Sequence, residues 1–266
     1  MDRNVLLAIG LTTLAGLSTG IGSAIASFTQ RNNTAFLSAT LGFSAGVMIY
    51  VSFLELLPSA RQLLTAGYGQ LHGSWLMHGG FFAGVGLILL IDYAVPVEHN
   101  PHHARLAKEM GQPAEDHELQ RIGLLTALAI TIHNFPEGIA TFMSTIEHPM
   151  VGVTIAIAIA LHNIPEGISI AVPIYFATGS RHRAFWYSFA TGLAEPIGAV
   201  IAYLALRPFL NDLLQGVVLA TVAGIMVFIS LDQLIPNAKK YGSGHQAVYG
   251  LIAGMGLMAL TLVMLS

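Results

Sequence analysis

Two six-residue segments, HNFPEG at 133–138 and HNIPEG at 162–167, repeat one order of imidazole, carboxamide, proline and carboxylate. On a helix, His and Glu four positions apart lie about 40° apart around the axis, so they point the same way one turn apart. This pairs His133 with Glu137 and His162 with Glu166, while Asn134 and Asn163 add amide oxygens on the adjoining face. A third carboxylate, Glu195, stands beside a proline in GLAEPIGA, and Met48, Ser52 and Glu55 share one face of an earlier segment. Imidazole, carboxylate and amide oxygen together suit Zn²⁺, Fe²⁺, Mn²⁺ or Co²⁺, with the Met48 thioether softening one side. The chain has no cysteine, so thiolate ligands and a copper(I) site are disfavoured.

The elements that must position these groups are apolar. Of the 266 residues 54% are hydrophobic and only 9% charged, against about 25% in an average soluble domain, and the mean hydropathy is +0.68. Apolar runs approaching the ~20 residues that cross ~30 Å of hydrocarbon predict eight membrane helices. They fall at about 5–28, 35–57, 75–96, 122–146, 149–176, 184–206, 213–235 and 246–265, forming one all-α transmembrane domain over 1–266. The first run is longer than the ~7–15 apolar residues of a signal peptide, and MDRN before it carries no net charge; it is expected to be a retained span. A net charge of −3, from 11 basic and 14 acidic residues, supports no nucleic-acid partner. Nor is there a nucleotide-binding motif, so direct ATP drive is not expected.

In such surroundings an ionised carboxylate costs about 2.5–3.5 kcal/mol at a helix centre, or roughly 9 kcal/mol for Glu137, Glu166 and Glu195 together. Like charges cannot neutralise one another, whereas a divalent cation can. Pro136 and Pro165 leave the carbonyls of Ile132 and Leu161 without their helical donors and predict kinks at the centres of helices 4 and 5. Histidines that only hydrogen-bond across helices, beside protonated glutamates, would account for one such pair but poorly for the repetition of the whole pattern.

Three further segments repeat. AGVMIYVSFLELLP (45–58) matches AGIMVFISLDQLIP (223–236), GFFAGVGLILL (80–90) matches GLIAGMGLMAL (250–260), and GLSTGIGSAIA (16–26) matches GLAEPIGAVIA (192–202). They pair span 1 with 6, 2 with 7 and 3 with 8, each five crossings apart and therefore oppositely directed. With spans 4 and 5 also antiparallel, this predicts an inverted repeat of three, two and three helices, a plan used by secondary transporters with the substrate site at the midplane.

Basic residues set the orientation, because loops rich in Lys and Arg stay cytoplasmic. With the N-terminus outside, Arg31, Arg105, Lys108, Arg121, Arg181, Arg183, Lys239 and Lys240 lie inside, against Arg3, Arg61 and Arg207 outside, and both termini are extracytoplasmic. The polar loop 97–121 is then cytoplasmic; its His99, His102, His103 and His117 read as a solvated linker with weak metal affinity.

HNFPEGIA, HNIPEGISIA, GLAEPIGA, GVMIYVSFLELLP and the histidine-containing loop together resemble the ZIP (Zrt/Irt-like) family of zinc and iron permeases, most closely its bacterial zinc transporters. The resemblance covers nearly the whole chain, and the doubled HNxPEG is highly specific. It implies eight helices and uptake of divalent metal into the cytoplasm across a bacterial inner membrane. Zinc is the first expectation, then iron, manganese, cobalt and cadmium, as transported ions with no prosthetic group. It further implies a binuclear centre, with His133, Glu137, His162 and Glu166 near Met48 for one ion, and Asn134, Glu137, Asn163, Glu166 and Glu195 for the second. The partners implied are the ions and the bilayer, with a homodimer left open. Two other classes stay open: a passive divalent-cation channel and, more remotely, an intramembrane metalloprotease. The second needs HExxH, with Glu next to the first His as general base, whereas here Asn follows His and proline occupies the turn.

Overall fold

The computed structural model describes residues 3–28, 33–94, 113–206 and 211–265. Among them there is no strand: the chain is a bundle of α1 (Arg3–Ser27), α2 (Thr34–Val51), α3 (Leu57–Ala94), α4 (Pro113–Glu147), α5 (Pro149–Thr178), α6 (Arg181–Gly192), α7 (Ala194–Ile201), α8 (Asp212–Ile229), α9 (Ile235–Tyr241) and α10 (Gln246–Leu265). The expected cytoplasmic loop lies mostly outside the described residues, and α4 takes up its last part from Pro113.

Local chemistry sets the ends. Asn33 and Asn211 each cap a helix, their side chains accepting from the amides of Phe36 and Leu214 at 2.9 Å. Pro149 opens α5, where a missing N–H costs nothing, and Gly179 closes it in the left-handed conformation at φ 66°. Pro136 and Pro165 do not interrupt their helices, since α4 and α5 run through them.

Among the described residues, six stretches are long and apolar enough to cross a membrane: Arg3–Ala26, Thr34–Leu90, Pro149–Thr178, Arg181–Ala205, Asp212–Tyr241 and Gln246–Met264. Two of the eight expected spans share one of them. Thr34–Leu90 has 57 residues, about 85 Å if straight and nearly three times a ~30 Å hydrocarbon core. It folds back at Gly69, whose φ of 76° and ψ of 164° break the helix where only glycine adopts that backbone cheaply. The expected span at 122–146 lies within α4; it is not among the six, which are counted over the described residues only.

Packing repeats in pairs. α3 lies along α8 and α2 along α10; α5 packs on α1 and α4 on α7, while α4 and α5 pack on each other at the centre. The contacts recur at equivalent residues. A Cβ on Gly138 would overlap the carbonyl of Glu195, and one on Gly167 the carbonyl of Thr19; Gly84 abuts the Thr221 carbonyl as Gly254 abuts that of Phe43. Such glycines let backbones approach closely where apolar burial against lipid cannot drive association. Ser52–Leu56 and Ser230–Leu234, matched in the sequence repeat, are both π-helical turns, a feature that inserts an extra residue into the ladder.

Candidate metal site

The centre of the bundle is polar and buried. His133, Asn134, Glu137, His162, Asn163, Glu166 and Glu195 are each at most 1% exposed. Helical spacing brings His and Glu of each motif to one face, and antiparallel packing of α4 on α5 turns the two faces toward each other.

The motifs pair crosswise. The His133 Nε2–H donates to Glu166 Oε1 at 3.0 Å, and His162 Nε2 lies 3.4 Å from Glu137 Oε1. The pairing within α4, His133 Nε2 to Glu137 Oε1, is longer at 3.9 Å. Each imidazole therefore engages the carboxylate of the other motif more closely than the carboxylate one turn along its own helix.

The asparagines are fixed by backbone. Asn134 Nδ2 donates to the Thr191 carbonyl at 3.3 Å, and Asn163 Nδ2 to the Ala15 carbonyl at 3.0 Å, again equivalent positions of the two halves. Asn163 Nδ2 also donates to Glu195 Oε1, tying α7 to the motif on α5. With both amide nitrogens engaged, Asn134 Oδ1 and Asn163 Oδ1 remain buried without a donor.

Other lone pairs are equally uncommitted. Both oxygens of Glu137, Glu166 Oε2, Glu195 Oε2 and both ring nitrogens of His162 make no hydrogen bond. A buried carboxylate or amide oxygen without a donor costs one to several kcal/mol each, so the set calls for protons, bound water or a cation among its oxygens. Hard oxygens and neutral imidazole are the ligands of a zinc-like divalent ion. Among the described residues, no three His, Asp or Glu side chains yet converge in finished ligand geometry; the cluster is closed on itself by the His133–Glu166 hydrogen bond.

Met48 belongs to the apolar core on the α2 side, 1% exposed, with its sulfur 4.0 Å from the Ser44 hydroxyl of its own helix. It is outside the hydrogen-bonded cluster, although α2 packs against α5. Sequence reasoning missed the supports behind the ligands. Ser188 Oγ donates to the Gly167 carbonyl at 2.8 Å, and Ser23 Oγ lies 2.7 Å from it, having the Thr19 carbonyl as a further acceptor at 2.8 Å. These small residues of α1 and α6 anchor α5 beside its motif. Their signal was the abundance of small residues in spans 1 and 6.

Comparison with known proteins bears on what such a cluster serves. The ZIP Zinc transporter family model matches residues 94–262. The chain is 58% identical to the "Zinc transporter ZupT" of Lysinibacillus sphaericus, with all of both chains covered. It is 56% identical to the protein of the same name in Oceanobacillus iheyensis, over 99% of each chain. For that of Clostridium perfringens the identity is 52%, over 98% of this chain and 97% of the relative.

Proposed function

The chain belongs to the ZIP zinc transporter family, and from that premise we propose that it carries zinc into the cytoplasm through the cluster shared by α4, α5 and α7. It is an integral membrane protein of a transporter family and not an enzyme, so the metalloprotease alternative falls away. The substrate is Zn²⁺, with Fe²⁺, Mn²⁺, Co²⁺ and Cd²⁺ as chemically related competitors.

The observation that carries the proposal is the crosswise pairing of two matched HNxPEG motifs around buried carboxylate oxygens that have no donor. A divalent ion entering between α4 and α5 replaces the His133–Glu166 hydrogen bond and takes both imidazoles, Glu137 and Glu166, with Met48 as a soft neighbour on the α2 side. A second ion takes the free oxygens of Asn134, Asn163 and Glu195 while sharing Glu137 and Glu166. Because Glu137 and Glu166 face both sets, they bridge the two ions, and loss of either disrupts both.

We read the bundle as eight crossings, the break at Gly69 dividing Thr34–Leu90 in two and α4 supplying a further span. The matched glycine contacts, the two π-helical turns, the two asparagine caps and the two asparagine-to-carbonyl bonds support an inverted repeat whose axis passes between α4 and α5. Both termini and Arg61 then face outward, and Arg181, Arg183, Lys239 and Lys240 face the cytoplasm. A site so fully buried favours a carrier that opens alternately over a passive channel, which needs a hydrated path.

The test is zinc flux into sealed vesicles containing the purified chain, with Glu137→Ala and Glu166→Ala compared with wild type. Abolished flux in properly inserted variants supports the assignment; near-normal flux in both removes it. A cysteine at His103 that resists an impermeant thiol reagent on intact cells supports the orientation, and rapid labelling reverses it.

A further inference from the structure

Away from the polar cluster, the fold-back at Gly69 builds a second cavity. The arm of α3 before the break and the arm after it touch near the turn, where a Cβ on Gly73 would overlap Leu64 and Thr65. Below that contact they part around a cavity of about 500 Å³. Its lining near the turn is polar, with Arg61, Gln62, Thr65 and Gln70; away from the turn it is apolar, with Phe53, Leu57, Pro58 and Met77. The Phe53 and Phe81 rings, 6.3 Å apart, bring the arms together at the apolar end, and Phe81 meets the outward-facing Phe82 edge-on at 5.3 Å.

Three features of this cavity point to one kind of occupant. Polarity runs along the helix axis, from cation and amides near the turn to the half-exposed Phe53 ring and the buried Met77 thioether farther from it. The lining runs from Thr65 back to Phe53, thirteen residues whose twelve rises span about 18 Å of helix, close to the depth of one leaflet of a ~30 Å hydrocarbon core. Among the described residues of the lining, Arg61 is the sole charged one, with no carboxylate beside it there. A headgroup bearing its own cation would find no counter-charge, whereas a phosphodiester meets a planar guanidinium that binds it with two parallel hydrogen bonds.

We propose that this cavity holds one anionic phospholipid, its phosphate on Arg61 and its glycerol and ester oxygens on Gln62, Gln70 and Thr65. The Thr65 hydroxyl already donates to the Arg61 carbonyl at 2.8 Å, so it offers lone pairs and suits a headgroup hydroxyl that donates. One acyl chain lies over Phe53 and Met77 and leaves past Phe82 into the bilayer. The lipid wedges the two arms apart and so sets the angle at which α3 returns through the membrane.

The test is native mass spectrometry of the full chain in detergent, offered phosphatidylglycerol and phosphatidylcholine of identical acyl chains. Wild type should retain one phosphatidylglycerol with a preference of about fivefold, the scale of one charge-assisted pair near the surface. Arg61→Ala and Arg61→Gln should abolish the preference, whereas Arg183→Ala, an exposed cation on α6, should keep it. Met77→Trp, which fills the apolar end and spares Arg61, should lower retention of both lipids. Equal retention of the two lipids by wild type, or an undiminished preference in either Arg61 variant, overturns the proposal. So does displacement of the lipid by excess inorganic phosphate, which would identify a site for soluble anions.

Discussion

Thr19 on α1 and Glu195 on α7 occupy matched places in the two halves of the sequence, and each presents its backbone carbonyl to a glycine of a central helix, Gly167 and Gly138 respectively. Their backbones do the same work, but of the two only Glu195 brings a charge to the buried polar cluster, through the hydrogen bond from Asn163. The halves differ elsewhere in the same manner: Glu55 stands against Gln233 in the two π-helical turns, and Asp212 against Thr34 at the two capped helix starts. Beyond the matched Glu137 and Glu166, what the halves share builds helix contacts; what they do not share places further charge. An inverted repeat left to itself would offer an ion the same site from either side, so in the proposed two-ion transporter these differences would set direction and the second ion's affinity.

The largest effect should come from breaking what is shared. Glu137→Ala and Glu166→Ala are expected to lower zinc flux at least about 100-fold each, beyond the effect typical of residues behind the ligands, and to nearly equal degree. A strong loss in one with little in the other would show that the motifs are not partners.

Next is the unshared carboxylate. Glu195→Thr makes the halves alike at this position and should weaken binding of the second ion about tenfold with the bundle intact, an effect near 1.4 kcal/mol. Adding Thr19→Glu to that variant should recover part of the loss, read by calorimetric titration of zinc. A Glu195→Thr protein that binds like wild type would strip the asymmetry of its role.

Gly138→Ala and Gly167→Ala test the shared backbone contact directly. Each Cβ meets a carbonyl of the neighbouring helix, so each should destabilise the bundle by about 1–3 kcal/mol, the usual result of overpacking. Thermal unfolding in detergent checks it, and the two shifts should be similar. Changing His99, His102, His103 and His117 together to Ser should leave flux within about twofold, since weak loop ligands set no pathway geometry.

The smallest effect belongs to Glu147, at the end of α4, where the opposite half has Phe176. Burial pushes its carboxyl pKa up, Asp212 pushes it further, and His148 opposes both. Because the folded-state pKa is raised, stability falls as pH rises from the ordinary glutamate value toward it and stays reduced at neutral pH. Glu147→Gln should therefore raise the Tm slightly at neutral pH, and not near pH 4, below the ordinary value of about 4.3. A shift of equal size at both pH values would mean the charge is not what matters.

Much of this was legible in the sequence, for identifiable reasons. His133, Glu137, His162 and Glu166 were visible because helical spacing and repetition are sequence properties, and Glu195 because a carboxylate in an apolar run is costly. The crosswise pairing was not, since spacing along one helix says nothing of which neighbour a side chain meets. Thr191 and Ala15 were invisible as partners because they act through backbone carbonyls, which every residue possesses. The fold-back was placed only as a gap between two apolar runs; the left-handed Gly69 and the cavity below it depend on how the two arms of α3 pack.

The central claim, that both motifs hold one zinc ion between them, is tested most directly by X-ray absorption at the zinc edge. The sample is the purified chain with one equivalent of zinc, in a background where His99, His102, His103 and His117 are Ser so that loop imidazoles cannot contribute. The account predicts nitrogen and oxygen ligands at about 2.0–2.2 Å with scattering from two imidazoles and no thiolate distance. One imidazole should be lost in His133→Ala, the other in His162→Ala, and both in the double variant. Imidazole scattering that persists unchanged in the double variant, or is absent from the parent, would contradict it.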